Sequence, residues 1–245
     1  MLKYNMPPPS IKIVSIDGNI GSGKSTIISK IQSFYDNCAN INKGTEYNVV
    51  FLKEPVDEWC SIVDNDGQTL LQKFYQDKRH YSFAFQMAAY ISRLALLTKC
   101  IASIKSSGDT RPAVIITERC VYSDKSIFAQ MLYDDGDINK IEHQVYLKWF
   151  DTFIADLPSI NIIYIHSPPD VCQARIKRRQ RLGEDIIPLD YLEKCDKYHA
   201  QYISTMATDP TIGILTVHCG QEISESNAYI EKSWISDIIE FIHFL

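Results

Sequence analysis

Nine consecutive residues, Gly18-Asn19-Ile20-Gly21-Ser22-Gly23-Lys24-Ser25-Thr26, carry the most specific chemistry in the chain. They fit the pattern G-x-x-x-x-G-K-[ST], with an apolar run before them and a stretch of helical character after. The glycines let successive backbone N–H groups turn inward around phosphate oxygens, and a helix starting near Lys24 adds its positive dipole end. Lys24 can bridge the β- and γ-phosphates, and Ser25 can hold Mg²⁺. The motif implies a bound nucleoside triphosphate. Gly18, Gly21 and Gly23 do not form G-x-G-x-x-G, which disfavours a dinucleotide. Asn42-Lys43-Gly44-Thr45 is the nearest approach to a guanine-reading N-K-x-D, but it lacks the Asp and comes too early.

Further candidates follow later apolar runs. Glu54, in Lys53-Glu54-Pro55-Val56, is either a base for an attacking hydroxyl or an exposed loop acid. Glu118 sits where phosphate-loop proteins place a magnesium-directed acid. Arg119 beside it is costly at a buried strand end unless it meets an anion, either a phosphate or Glu54 itself. Arg175–Arg181 packs four Arg and one Lys into seven residues of an acidic protein. On a helix Arg175 and Arg179 share a face. The run is a solvated face or a lid that neutralises transition-state charge, and the phosphate loop favours the lid.

These residues need a scaffold that brings them to one edge. Five short apolar runs, Ile11–Ile16, Tyr47–Leu52, Ala113–Thr117, Asn161–His166 and Ile212–Val217, suit strands buried on both faces. Ser82–Ile104, Lys140–Leu157, Leu189–Met206 and Glu222–Phe244 read as helices, the second on the spacing of Ile141, Val145, Trp149 and Phe153. The alternation predicts an α/β fold: a P-loop NTPase-type, five-stranded parallel sheet flanked by helices, with a short Arg-rich lid at about 173–187. Such sheets work beyond the carboxyl ends of their strands, where the motifs above fall. Residues 1–10 read as a flexible lead and 11–245 as one domain. Asn37–Glu46 is a polar insert, and Asp64-Asn65-Asp66-Gly67 a turn, since Ile62 breaks a calcium-loop pattern.

Composition sets the outer bounds. The chain has 245 residues, 45% hydrophobic and 22% charged, which excludes a disordered or fibrous protein. A net charge of −5 disfavours nucleic acid as partner. No run approaches about 18 consecutive apolar residues, so no membrane partner is expected. Seven scattered cysteines without C-x-x-C suggest reduced thiols and no structural zinc. With no signal-like leader, a cytoplasmic location is expected.

Taken in order, Gly18–Thr26, Glu54-Pro55-Val56, Ser82-Phe83-Ala84-Phe85-Gln86, Ser92-Arg93, Glu118–Asp124, Arg175–Arg181 and Ile187–Glu193 resemble the deoxyribonucleoside kinase family, nearest its deoxycytidine/deoxyguanosine kinase branch. The resemblance runs from about residue 11 to 205, plus the final strand and helix. It implies transfer of the ATP γ-phosphoryl to a deoxynucleoside 5′-hydroxyl in nucleotide salvage, with Mg²⁺. Glu54 would take the hydroxyl proton and Arg119 would steady the oxygen and the incoming phosphoryl. Tyr75 and Glu184 match 3′-hydroxyl partners, Gln86 a base reader, and Phe128 an aromatic stacked on the base; Trp59 would wall the pocket. Core packing is the competing role for Phe74, Phe85 and Phe128, and is preferred for Phe85. Arg93 and Asp124, accompanied by the small Ala89, match members that take deoxycytidine and purine deoxynucleosides rather than thymidine. Arg175, Arg179 and Arg181 would close over the triphosphate. Cys120 for the usual Ser, Phe74 for a common Met, and a less acidic lid depart from the family pattern.

A nucleoside monophosphate kinase, or an inactive nucleotide-sensing protein, is the alternative. The resemblance also implies a homodimer through helices 82–104 and 140–157, against simple packing of those helices on the sheet.

Overall fold

The computed structural model describes residues 9–40, 46–181, 184, 187–221 and 228–245. Most of the expected lead, part of the polar insert, four lid residues and the start of the last expected helix lie outside them. In chain order the elements are β1 (Ile11–Asp17), α1 (Lys24–Asn40), β2 (Asn48–Leu52), α2 (Val56–Ser61), α3 (Leu70–Gln76), α4 (Lys78–Ser106), β3 (Ala113–Glu118) and α5 (Val121–Ser123). A π-helical turn (Asp124–Ala129) leads to α6 (Gln130–Asp134), α7 (Lys140–Phe153), β4 (Ile160–His166), α8 (Pro169–Arg179), α9 (Leu189–Met206), β5 (Ile214–His218) and α10 (Ala228–His243).

The five strands form one parallel sheet in the order β2-β3-β1-β4-β5. The sequence-predicted strands agree with it to within two residues. β1 is central, and its alternating residues are buried on opposite sides. Val14 and Ile16 pack with Ile27, Ile31 and Ile238 of α1 and α10, while Ile13 packs with Leu97 and Ile101 of α4. Covering both faces is what makes such strands apolar throughout. The register sets Ile16 against Glu118, so β1 and β3 end together and the phosphate loop emerges beside Glu118.

Two helices add to the sequence expectation. α4 is long and apolar enough to cross a membrane by length and composition, which the search for an unbroken apolar run missed. In the fold it lies along the sheet with one face inward, where its buried residues include Gln86, Ser92 and Arg93, while Ile91 is exposed. α7 has a capping box, in which Asn139 Oδ1 accepts from Glu142 N and Glu142 Oε2 accepts from Asn139 N. Its expected apolar stripe is turned away from the core. Tyr146 and Phe150 are buried, whereas Ile141, Val145, Trp149 and Phe153 face outward, Ile141 at 75% exposure. The four-residue spacing was real, but it marks the outer face.

Candidate active site

The phosphate loop takes its shape from glycines. Gly18 has φ +152°, and a Cβ there would lie 2.3 Å from the Ile165 carbonyl oxygen. Gly21 has φ +78°, and its Cβ would lie 2.6 Å from the Cys172 carbonyl of α8. No other residue fits either place. α1 starts at Lys24, so its unpaired first-turn N–H groups border the loop. Lys24 Nζ is folded beneath and donates to the carbonyls of Gly18 (3.1 Å) and Asn19 (2.8 Å). Burial, helped by the neighbouring Arg119, brings its pKa down to about 8. Ser25 Oγ donates to both carboxylate oxygens of Glu118, at 3.0 and 3.1 Å. This pair of oxygen ligands beside the phosphate seat suits a hard cation.

A donor cavity opens over the loop. Gly21–Thr26, Glu118, Arg175, Arg179 and Arg181 line it, as do Glu231 and Trp234 of α10. Gly18 and Asn19 underpin it, and Ile20 faces the adjoining cleft. The lid arginines are not alike. Arg175 donates from Nη1 to the Ser22 carbonyl (3.1 Å) and from Nη2 to that of Cys219 (2.8 Å), which braces the loop against the end of β5. Arg179 Nη2 and Arg181 Nη1 (3.0 Å) instead grip the buried carboxylate of Glu184. Sequence spacing gave no sign of this division.

The adjoining cleft collects every residue that the sequence assigned to the acceptor. Glu54, Trp59, Tyr75, Gln86, Arg93, Asp124, Phe128 and Glu184 line it together with Lys24, Glu118 and Arg119. α2 supplies Trp59, whose Nε1 donates to Ser92 Oγ at 2.9 Å. α4 supplies Gln86 and Arg93, two turns apart. The π-helical turn supplies Asp124 and Phe128; its extra residue per turn breaks ordinary helical spacing, a geometry frequent at functional sites. Phe74 and Phe85 stack on each other at 4.5 Å (16°) and also face the cleft, so Phe85 serves both core and wall.

One carboxylate holds the centre. Glu54 Oε1 lies 3.4 Å from Arg93 Nη2 and 3.6 Å from Arg119 Nε. Burial alone would raise its pKa, but Arg93, Arg119 and Lys24 prevail and hold it below 4.5. Glu54 is therefore an ionised carboxylate held between two guanidinium groups, able to accept a proton. Arg93 also donates from Nε to Asp124 Oδ2 (2.8 Å) and from Nη1 to the Glu118 carbonyl (2.7 Å). Burial pushes the Asp124 carboxyl up against the pull of Arg93. Arg119 leaves β3 in the left-handed region, at φ +60°. Its Nη1 donates to the Gly18 carbonyl at 2.7 Å, and its Cζ lies 4.7 Å from the centre of the Phe128 ring.

The sequence reading missed four neighbours of this machinery. Tyr191 walls the cleft, Glu231 and Trp234 border the donor cavity, and His199 touches Arg119. Tyr191 stands in the Ile187–Glu193 motif; the other three lie on plain amphipathic helices. The geometry sets a triphosphate seat end to end with a buried carboxylate and two guanidinium groups, which suits phosphoryl transfer to a hydroxyl.

Residues 14–242 match the family model described as deoxynucleoside kinase. Deoxycytidine kinase 1 of Xenopus laevis is 32% identical over 96% of this chain and 92% of its own. A probable deoxycytidine kinase of fowlpox virus (strain NVSL) is 34% identical over 94% and 88%. Mitochondrial deoxyguanosine kinase of Xenopus laevis is 29% identical over 81% and 76%. With this breadth of match, and a site of this geometry, the chain belongs to the deoxynucleoside kinase family and is a phosphotransferase acting on deoxynucleosides.

Proposed function

We propose that the chain transfers the γ-phosphoryl of ATP to the 5′-hydroxyl of deoxycytidine or a purine deoxynucleoside in preference to thymidine. The Arg93–Asp124 hydrogen bond carries this reading. The pair fills the space at the base end of the cleft with two buried polar groups, which favour a base bearing an amino group over one bearing a 5-methyl group. Gln86 has an amide that can pair with a base edge, and Phe128 offers a ring. Tyr75 and Glu184 bind the 3′-hydroxyl, for which Glu184 must give up part of its hold on Arg179 and Arg181. Those arginines are then released toward the triphosphate.

Glu54 accepts the proton of the 5′-hydroxyl, and Arg119 and Lys24 hold the charge that develops on the transferred group. Ser25 and Glu118 would hold Mg²⁺, which when bound neutralises phosphate charge. The chain acts as a homodimer through α4 and α7, covering Ile91, Val145, Trp149 and Phe153.

The test is ATP-dependent phosphorylation of deoxycytidine, deoxyadenosine, deoxyguanosine, thymidine and the deoxynucleoside monophosphates. Turnover of one or more of the first three, with weak use of thymidine, is expected. Dominant thymidine use would overturn the base assignment, and turnover of monophosphates alone would overturn the acceptor.

A further inference from the structure

We propose that His199 is a positioning residue for Arg119, and that through it α9 sets the guanidinium against the acceptor oxygen. This rests on the phosphotransfer reading above.

Arg119 is one of two described non-glycine residues with positive φ, the other being Gln180. A non-glycine residue stays in that region only where its surroundings over-determine it. Arg119 is held by the Gly18 carbonyl at 2.7 Å, the Phe128 ring below Cζ, and His199 Nε2 at 3.3 Å from Nη1. The Gly18 carbonyl is shared with Lys24, so it cannot fix the guanidinium alone. Both polar contacts take Nη1, while Nε points toward Glu54 at 3.6 Å. One end of the guanidinium is anchored and the other is presented to the cleft.

The imidazole is itself fixed. Nδ1 lies 2.6 Å from the Cys195 carbonyl, which can only accept, so Nδ1 carries the proton and Nε2 offers its lone pair to Arg119. The ring is fully buried, lies nearly parallel to Tyr164 (6.0 Å, 17°) and meets Phe128 edge-on (6.0 Å, 87°). Burial and the adjacent Arg119 keep His199 neutral, as an acceptor must be.

The same helix reaches the phosphate loop a second time, since Asn19 Nδ2 donates to the Leu192 carbonyl at 2.8 Å. α9 begins at Leu189, five residues beyond Glu184 and its arginine grip. One rigid element thus indexes the phosphate loop, the acceptor arginine and the end of the lid.

The experiment compares His199→Gln, His199→Asn and His199→Phe with the unaltered chain in steady-state assays with ATP and deoxycytidine. A Gln oxygen reaches the place of Nε2, whereas Asn reaches only that of Nδ1 and Phe keeps the ring without an acceptor. The Asn and Phe variants are expected to lose kcat by about ten- to hundredfold, the range for a hydrogen bond to a charged group, with both KM values little changed. The Gln variant is expected to keep most of the activity. In an Arg119→Ala background, His199→Asn should cause no further loss. Equal losses in the Gln and Asn variants, wild-type kcat in the Asn variant, or additive losses with Arg119→Ala would overturn the proposal. The Gln–Asn contrast stands even if the Phe variant does not fold. No deoxynucleoside turnover by the unaltered chain would instead overturn the activity beneath it.

Discussion

Arg93 Nε donates to Asp124 Oδ2 at 2.8 Å, with both side chains almost wholly removed from water. Breaking a buried pair by removing one partner strands the other, whereas removing both does not. Arg93 keeps a weaker contact with Glu54 at 3.4 Å and a carbonyl at 2.7 Å. Asp124→Ala should therefore destabilise by about 3 kcal/mol, the lower end for such losses. Arg93→Leu combined with Asp124→Ala should recover more than half of that and raise thymidine use relative to deoxycytidine. Urea denaturation and paired-substrate assays check both; a double variant no more stable than the single one would count against the pairing.

Glu54 sits between two guanidinium groups, and Glu54→Gln removes its proton-accepting charge with little change of shape. Phosphoryl transfer should fall by about 10²–10⁴-fold while deoxycytidine binding by calorimetry persists. The carboxylate is held below its ordinary 4.5, so any acid loss of activity from this group falls below pH 4.5. The sign for stability is the same. A depressed carboxyl pKa stabilises the fold above the unfolded value, and that contribution is lost as pH falls through the folded one. The unaltered chain should lose stability below pH 4.5 by more than Glu54→Gln does.

Lys24 titrates near pH 8 beneath the loop. A triphosphate would favour its charged form, so binding ATP at pH 8 should take up about half a proton at this site, and almost none at pH 6.5. Calorimetry in buffers of different ionisation enthalpy measures this directly. Equal uptake at both pH values, or uptake that persists in Lys24→Met, would exclude Lys24 as its source.

The parts legible in sequence were those with a strict local cause. Parallel strands buried on both faces must be apolar, and only glycine survives at Gly18 and Gly21. Glu54 and Arg119 were legible from their places at strand ends, Arg93 and Asp124 from the family resemblance, and the sheet edge brings the four together. What was not legible depends on direction rather than identity. Nothing in Arg175–Arg181 says that Arg175 turns to backbone carbonyls while Arg179 and Arg181 turn to Glu184. The π-helical turn left no periodic trace, and His199 reads as one more inward position on an amphipathic helix. The α7 stripe was legible from its four-residue spacing, but an apolar face toward a partner and one toward the core share that spacing, and only the structure shows it turned outward.

That stripe supplies a further test. Trp149 and Phe153 are stacked at 5.3 Å and 45–46% exposed. Covering the exposed part of each side chain contributes about 1 kcal/mol, roughly half of what full burial gives. The chain, of 28.1 kDa, should sediment at twice that mass at micromolar concentration. Trp149→Glu with Phe153→Lys should sediment as a monomer with an unchanged circular dichroism spectrum. A monomeric unaltered chain would remove the dimer.

The contact between Gly21 and the Cys172 carbonyl makes the two halves of the site hard to tell apart by genetics. α8 lies against the loop at Gly21 and ends at Arg179, whose side chain grips Glu184 in the adjoining cleft. One added methyl at Gly21 would push α8 outward and carry that grip with it. A screen for weakened hold on the deoxynucleoside would then return alleles in the loop that holds ATP, and the phenotype would name the wrong ligand.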